Sequence, residues 1–217
     1  MSLCETLWWY LGNILDYVAE MLPCMWGALA VFLLLQPPRM GRLYRRGLAS
    51  GPWREGALLL FTLFGAGLAA LTLFPAGFWR ADHWLAAFRG EESLFPPVDW
   101  AVQLDTLQLT PLREIHRAFK GPWVMFLMLA NIGIFVPVGF FTALLWRRPR
   151  WWRSLLAGAC SSFAIEFIQF FIGRSSDIDD LILNTAGALL GYWLYWPLRA
   201  LFPRFFAKFQ CRERGAI

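Results

Sequence analysis

Five apolar runs, at residues 18–36, 56–78, 122–146, 152–172 and 180–201, govern what this chain can become. Each is close to the roughly 20 residues an α-helix needs to cross the hydrocarbon of a bilayer. Within hydrocarbon a backbone satisfies its own hydrogen bonds only as a helix or a closed barrel. The expected fold is therefore all-α and integral to a membrane, with about five transmembrane helices in a single domain, residues 1–217. At 58% hydrophobic and 16% charged, the chain has too few polar residues to solvate these runs as surface helices of a water-soluble protein.

Lysine and arginine placement sets the expected orientation, because these residues concentrate in short cytoplasmic loops. Arg39, Arg42, Arg45, Arg46 and Arg54 mark the first loop as cytoplasmic, and Arg147, Arg148, Arg150 and Arg153 mark the third. The carboxyl-terminal tail, with Arg199, Arg204, Lys208, Arg212 and Arg214, falls on the same side. Alternation then puts the amino terminus outside, where Glu5, Asp16 and Glu20 stand without a basic neighbour, together with the segments 79–121 and 173–179. The net charge of +5 is accounted for by this distribution, and no nucleic-acid partner is expected. The amino terminus lacks a basic n-region and a small-residue cleavage site, so insertion is expected to rely on the first helix itself. Cys4, Cys24, Cys160 and Cys211 share no metal-ligand spacing, and neither a disulfide frame nor a zinc site is expected.

Two segments lie outside the runs. The first twenty residues, with Trp8, Trp9 and Tyr10, read as an interfacial helix feeding the first span. The segment 79–121 is too long for a structureless connection in a compact domain. Thr110 followed by Pro111 has the pattern of an N-cap with proline at the first helical position, and Leu112, Ile115 and Phe119 then share one face. An amphipathic helix is expected there, its charged face carrying Arg113, Glu114 and Arg117.

The stretch 161–193 sets polar groups where lipid should be. An ionisable side chain at membrane depth is costly and marks a functional site by default. With the fourth helix ending near Gly173, Glu166 lies roughly 10 Å below that end at 1.5 Å per residue. Gln169 shares its face, three residues on. Asn184 lies one turn deeper than Asp180 on the fifth helix, and Asn131 is about 13 Å down the third by the same rise. Equal depth on three helices predicts one outward-opening polar pocket lined by Asn131, Glu166, Gln169 and Asn184, with Arg174, Asp177 and Asp180 at its mouth and Glu166 either paired with Arg174 or kept protonated by desolvation. The alternative is that these groups only tie the helices together and cap the fifth. Ser176-x-x-Asp179 and Asp177-x-x-Asp180 have capping-box-like spacing that serves it. No metal is assigned, the weak candidates being Asp177, Asp179 and Asp180, whose carboxylates suit an oxygen-liking cation such as magnesium. Gly187 and Gly191 form a small-residue face that admits close helix approach, and Pro137 and Gly139 are assigned to helix packing on the third helix.

Asn131 and the Phe-x-Pro-x-Gly of the third helix, the Glu-x-x-Gln of the fourth, an arginine before Asp-x-x-Asp, and the Asn-x-x-Gly-x-x-x-Gly of the fifth occur here in order. In this the chain resembles the VanZ-like family of bacterial membrane proteins, over a core of about 122–201. The resemblance implies a multi-pass protein of the bacterial cytoplasmic membrane, with a role at its outer surface in contact with a lipid-linked cell-wall intermediate, and a contribution to resistance against the glycopeptide teicoplanin. The leading expectation is a protein that binds a lipid headgroup or a lipid-tailed ligand, with Arg174 meeting an anionic group. A first alternative is an intramembrane hydrolase or transferase on a lipid-linked phosphate, with Glu166 as the catalytic candidate. A second is a structural subunit of an envelope complex, using the glycine face toward a membrane-protein partner or a second copy. Without a recognisable nucleophile the reading leans away from an enzyme, and no cofactor is expected.

Overall fold

The computed structural model describes residues 3–118 and 121–213. Its long helices are α1 (Leu3–Arg45) and α2 (Pro52–Leu73), then, after three short helices α3 (Ala81–Phe88), α4 (Trp100–Thr106) and α5 (Arg113–Ala118), α6 (Pro122–Leu145), α7 (Trp151–Phe171) and α8 (Ile178–Leu201). A last short helix α9 (Pro203–Phe206) and a 3-10 turn (Ala207–Phe209) follow. Leu48–Ala49 (β1) and Arg212–Glu213 (β2) pair antiparallel and tie the tail to the α1–α2 loop. Four segments, Leu15–Arg45, Pro52–Leu73, Val124–Leu145 and Trp151–Phe171, are long and apolar enough to cross a membrane. The chain is thus an all-α membrane protein. α8 is equally long but less apolar, opening with Asp179 and Asp180.

α8 is the helix on which the others are assembled, because its small residues let neighbouring backbones reach it. A Cβ on Gly187 would lie 2.1 Å from the Ile132 carbonyl oxygen, and one on Gly191 would lie 2.0 Å from that of Val136. From the α6 side, a Cβ on Gly139 would lie 1.7 Å from the Ala188 carbonyl oxygen. On the other flank Gly158 of α7 receives the Ala188 methyl, and the buried Ser154 donates to the Gly139 carbonyl at 3.1 Å. Lipid offers no hydrophobic drive to press helices together, so such close approach and interhelical hydrogen bonding supply the attraction. α6 runs unbroken through Pro137, which removes one helical hydrogen bond at that point.

Two sequence expectations differ from the fold. The interfacial helix and first span are one helix, α1, which continues past Pro23, Pro37 and Pro38; membrane helices tolerate proline where other groups satisfy the carbonyl it frees. The segment after α2 holds three short helices in place of one. Thr110 and Pro111 do not open α5, which starts at Arg113 after Leu112 takes a left-handed conformation with φ of 69°. Phe119, assigned to that helix from sequence, lies outside the described residues. α4 is capped by Asp99, whose carboxylate accepts from the Ala101 and Val102 N–H groups at 3.0 and 3.3 Å. Phe78, packed on Trp79, Trp84 and Phe95, roots α3 beside the end of α2.

Replacing Gly139 with Leu forces α6 and α8 apart, and the destabilisation is expected to exceed the ~1–3 kcal/mol of ordinary overpacking. Thermal unfolding in detergent measures it, with Gly65→Leu as the reference, since a Cβ at Gly65 meets nothing within 4 Å.

Candidate functional site

The first turn of α8 gathers the polar groups. Asp177 caps it, accepting from the Asp179 N–H at 2.8 Å, while its own N–H donates to Glu166 Oε2 at 2.9 Å. Glu166, 8% exposed on α7, therefore anchors the strand that leads into α8. Asp179 is fully buried and accepts from the Leu112 N–H at 2.5 Å, which fastens the start of α5 to α8. Asp180 accepts from Asn131 Nδ2 of α6, also at 2.5 Å. The segment before α5 is joined to the same place by backbone: the Gln108 N–H donates to the Ser176 carbonyl at 3.1 Å, and the Ile178 N–H to the Gln108 carbonyl at 3.0 Å.

Two cavities flank this joint. The first, about 550 Å³, is polar and bears both signs of charge, with Asp105, Asp177 and Asp180 facing Arg113 and Arg117, and with Asn131 and Ser175 also in its wall. Arg113 Nη1 donates to Gln108 Oε1 at 3.0 Å. The second, about 320 Å³, is an apolar groove on the other side. Phe163, Phe167 and Phe171, one turn apart on α7 with ring centroids 6.0 and 4.9 Å from one another, form its floor. Leu107, Leu109 and Leu181 complete it, and Glu166 stands in its wall. Gln108, Ser176 and Asp177 line both cavities.

The single pocket expected from equal depth is thus distributed. Asn131, Asp177 and Asp180 line the polar cavity, and Glu166 lines the groove. Asn184 is buried beneath them, donating to Ser162 Oγ at 2.9 Å with its own Oδ1 left unpartnered among the described residues. Gln169 turns to α2, donating to the Thr72 carbonyl at 2.9 Å. Arg174 is exposed on that same side; its guanidinium reaches the Phe74 carbonyl at 3.4 Å and its own carbonyl accepts from Gln103 Nε2 at 2.6 Å. Glu166 and Arg174 form no ion pair among the described residues, because each is engaged by a different helix end. The three aspartates diverge to three separate donors, and among the described residues no group of three His, Cys, Asp or Glu side chains is arranged to hold a metal ion. Sequence reading missed Asp105 and Gln108 as wall residues, since each is a lone polar residue in a segment without periodicity. Arg113 and Arg117 were visible only as the polar face of a surface helix.

A polar cavity at one end of the α6–α8 contact, with an apolar groove beside it, is thus built into an all-α membrane protein. The chain belongs to the VanZ/LLP1 family, whose model matches residues 59–202. The match runs from α2 to the end of α8 and takes in the segment with the short helices α3, α4 and α5 as well as residues 122–201. No curated protein and no solved structure matches the chain.

Removing the Asp179 carboxylate leaves the Leu112 N–H without its acceptor. Asp179→Leu is expected to cost about 1–3 kcal/mol and to speed amide hydrogen exchange at 107–118, whereas Asp179→Asn keeps an acceptor and gives a smaller change. Exchange read by mass spectrometry on the two variants separates these outcomes.

Proposed function

We propose that the protein is a five-span component of the bacterial cytoplasmic membrane, amino terminus outside and carboxyl terminus in the cytoplasm, that holds a lipid-tailed ligand at its outer surface. α8 serves as the fifth span. The arginines of the 39–54 and 147–153 segments lie at the end of the bundle opposite the α8 N-terminus, and the preference of basic loops for the cytoplasm puts the two cavities on the external side.

One observation carries the reading: a polar cavity and an apolar groove share a single wall, Gln108, Ser176 and Asp177. That arrangement fits an amphiphile. The headgroup occupies the polar side, where Arg113 and Arg117 offer charge-assisted hydrogen bonds to phosphate or carboxylate and Asp105, Asp177 and Asp180 meet amines or hydroxyls. The tail starts along the Phe163–Phe167–Phe171 ladder. A lipid-linked cell-wall precursor has this form, as does a glycopeptide antibiotic with an acyl tail, and engagement of either accounts for a contribution to teicoplanin resistance in this family. In this reading Glu166 positions the cavity wall through Asp177 and does no chemistry, which favours binding over turnover.

Native mass spectrometry of the purified chain with polyprenyl pyrophosphate and with lipid-linked cell-wall precursor tests it. The wild type is expected to retain one lipid. Arg113→Ala, at an exposed position, is expected to weaken retention about tenfold, the equivalent of ~1.4 kcal/mol and of the order of one charged hydrogen bond. Glu166→Gln, which keeps an acceptor for the Asp177 N–H, should bind as the wild type does. Equal retention by Arg113→Ala defeats the assignment, and a lighter product formed by the wild type alone would make the protein an enzyme.

A further inference from the structure

At the arginine-rich end, Arg46 lines two separate cavities. One, about 410 Å³, runs along α1, with Val31, Phe32 and Leu35 as its apolar wall and Arg39 and Arg42 beside them. The other, about 450 Å³, lies between α2 and α6, with Leu58, Phe61 and Leu145 as its apolar part and Arg54 and Arg147 beside them. Arg46 lines both.

The charges around the pair do not balance. Five guanidiniums meet two carboxylates: Glu55, bonded to Arg39 and 3.8 Å from Arg54, and Glu213, bonded to Arg147 at 2.5 Å. The remaining acceptors are neutral, with Arg42 Nε 3.4 Å from the Pro38 carbonyl and Arg54 Nη1 3.3 Å from Ser50 Oγ. The Nε atoms of Arg39 and Arg54 are buried without a partner, and the Arg46 guanidinium is exposed with none among the described residues. An excess of forked donors matches phosphate. A free phosphate would have no use for the apolar walls, so the combination selects a phosphate that carries hydrocarbon.

We propose that these two cavities, on either side of Arg46, bind one two-chained anionic phospholipid, its phosphate at Arg46 and one acyl chain along each apolar wall. Its leaflet is the cytoplasmic one, an assignment that rests on the orientation given above; the binding itself does not, because the site lies at the opposite end of the bundle from the outer cavities. It differs from them in chemistry too, being cationic where the outer polar cavity carries both signs and the groove is apolar.

The test is native mass spectrometry of the full chain in detergent with phosphatidylglycerol and with phosphatidylcholine of the same acyl chains. The wild type is expected to retain one phosphatidylglycerol and to hold phosphatidylcholine about tenfold more weakly. Arg46→Ala should lose that preference, while its thermal unfolding without lipid matches the wild type, as befits an exposed side chain. Arg89→Ala removes the same charge from the α3 end, away from both cavities, and should keep the preference. Equal retention of the two lipids by the wild type overturns the site, as does an equal loss in Arg46→Ala and Arg89→Ala, which would mean attraction to net charge alone. Neither result bears on the outer cavities, whose Arg113 variant is read with different lipids.

Discussion

The backbone-to-backbone approach of α6 and α8 is the constraint on which the rest depends. Gly139, Gly187 and Gly191 bring carbonyl groups of each helix into the space a side chain would fill, and no change of loop or surface restores that distance once it is lost. The approach fixes more than a spacing. It sets the rotation of α8 about its axis, and rotation decides that Asp180 meets Asn131 on α6 while Asn184 meets Ser162 on α7. Polar groups brought together from three helices need that angular precision, and small residues supply it without a large apolar core.

The start of α8 shows how clustered carboxylates are satisfied at a helix N-terminus. Each finds donors that a helix end or a neighbouring loop has to spare: Asp177 takes an N–H of its own first turn, Glu166 takes the N–H just before it, and Asp179 takes one from the start of α5. The positive end of the helix dipole favours all of them. The residues that cap α8 and tether its neighbours, Asp177 among them, also line the polar cavity. Ion pairing between Glu166 and Arg174 is unnecessary once backbone donors serve the carboxylate.

The course of the long helices was legible because hydropathy integrates over many residues: the expected spans 122–146 and 152–172 differ from α6 and α7 by a residue at an end. The glycine face was legible for a related reason, since small residues four apart leave few other meanings. Depth could also be read, as 1.5 Å per residue fixes how far Glu166, Asn131 and Asn184 lie from a helix end. Azimuth could not. Gln169 sits three residues from Glu166 and yet turns to Thr72, because the α2 terminus, whose position no spacing encodes, lies on that side. The same lack of long-range information concealed α3, α4 and the true start of α5, where a buried aspartate 67 residues away in sequence decides the conformation of Leu112.

The partition between the polar cavity and the phenylalanine groove is held by main-chain bonds between Gln108 and the residues flanking Asp177. Peptide groups are common to every amino acid except proline, so the divider is indifferent to the side chains hung on it. Residues facing either compartment can drift without breaching it. The linings of the two cavities, one polar and the other apolar, are thereby free to change separately without opening one into the other.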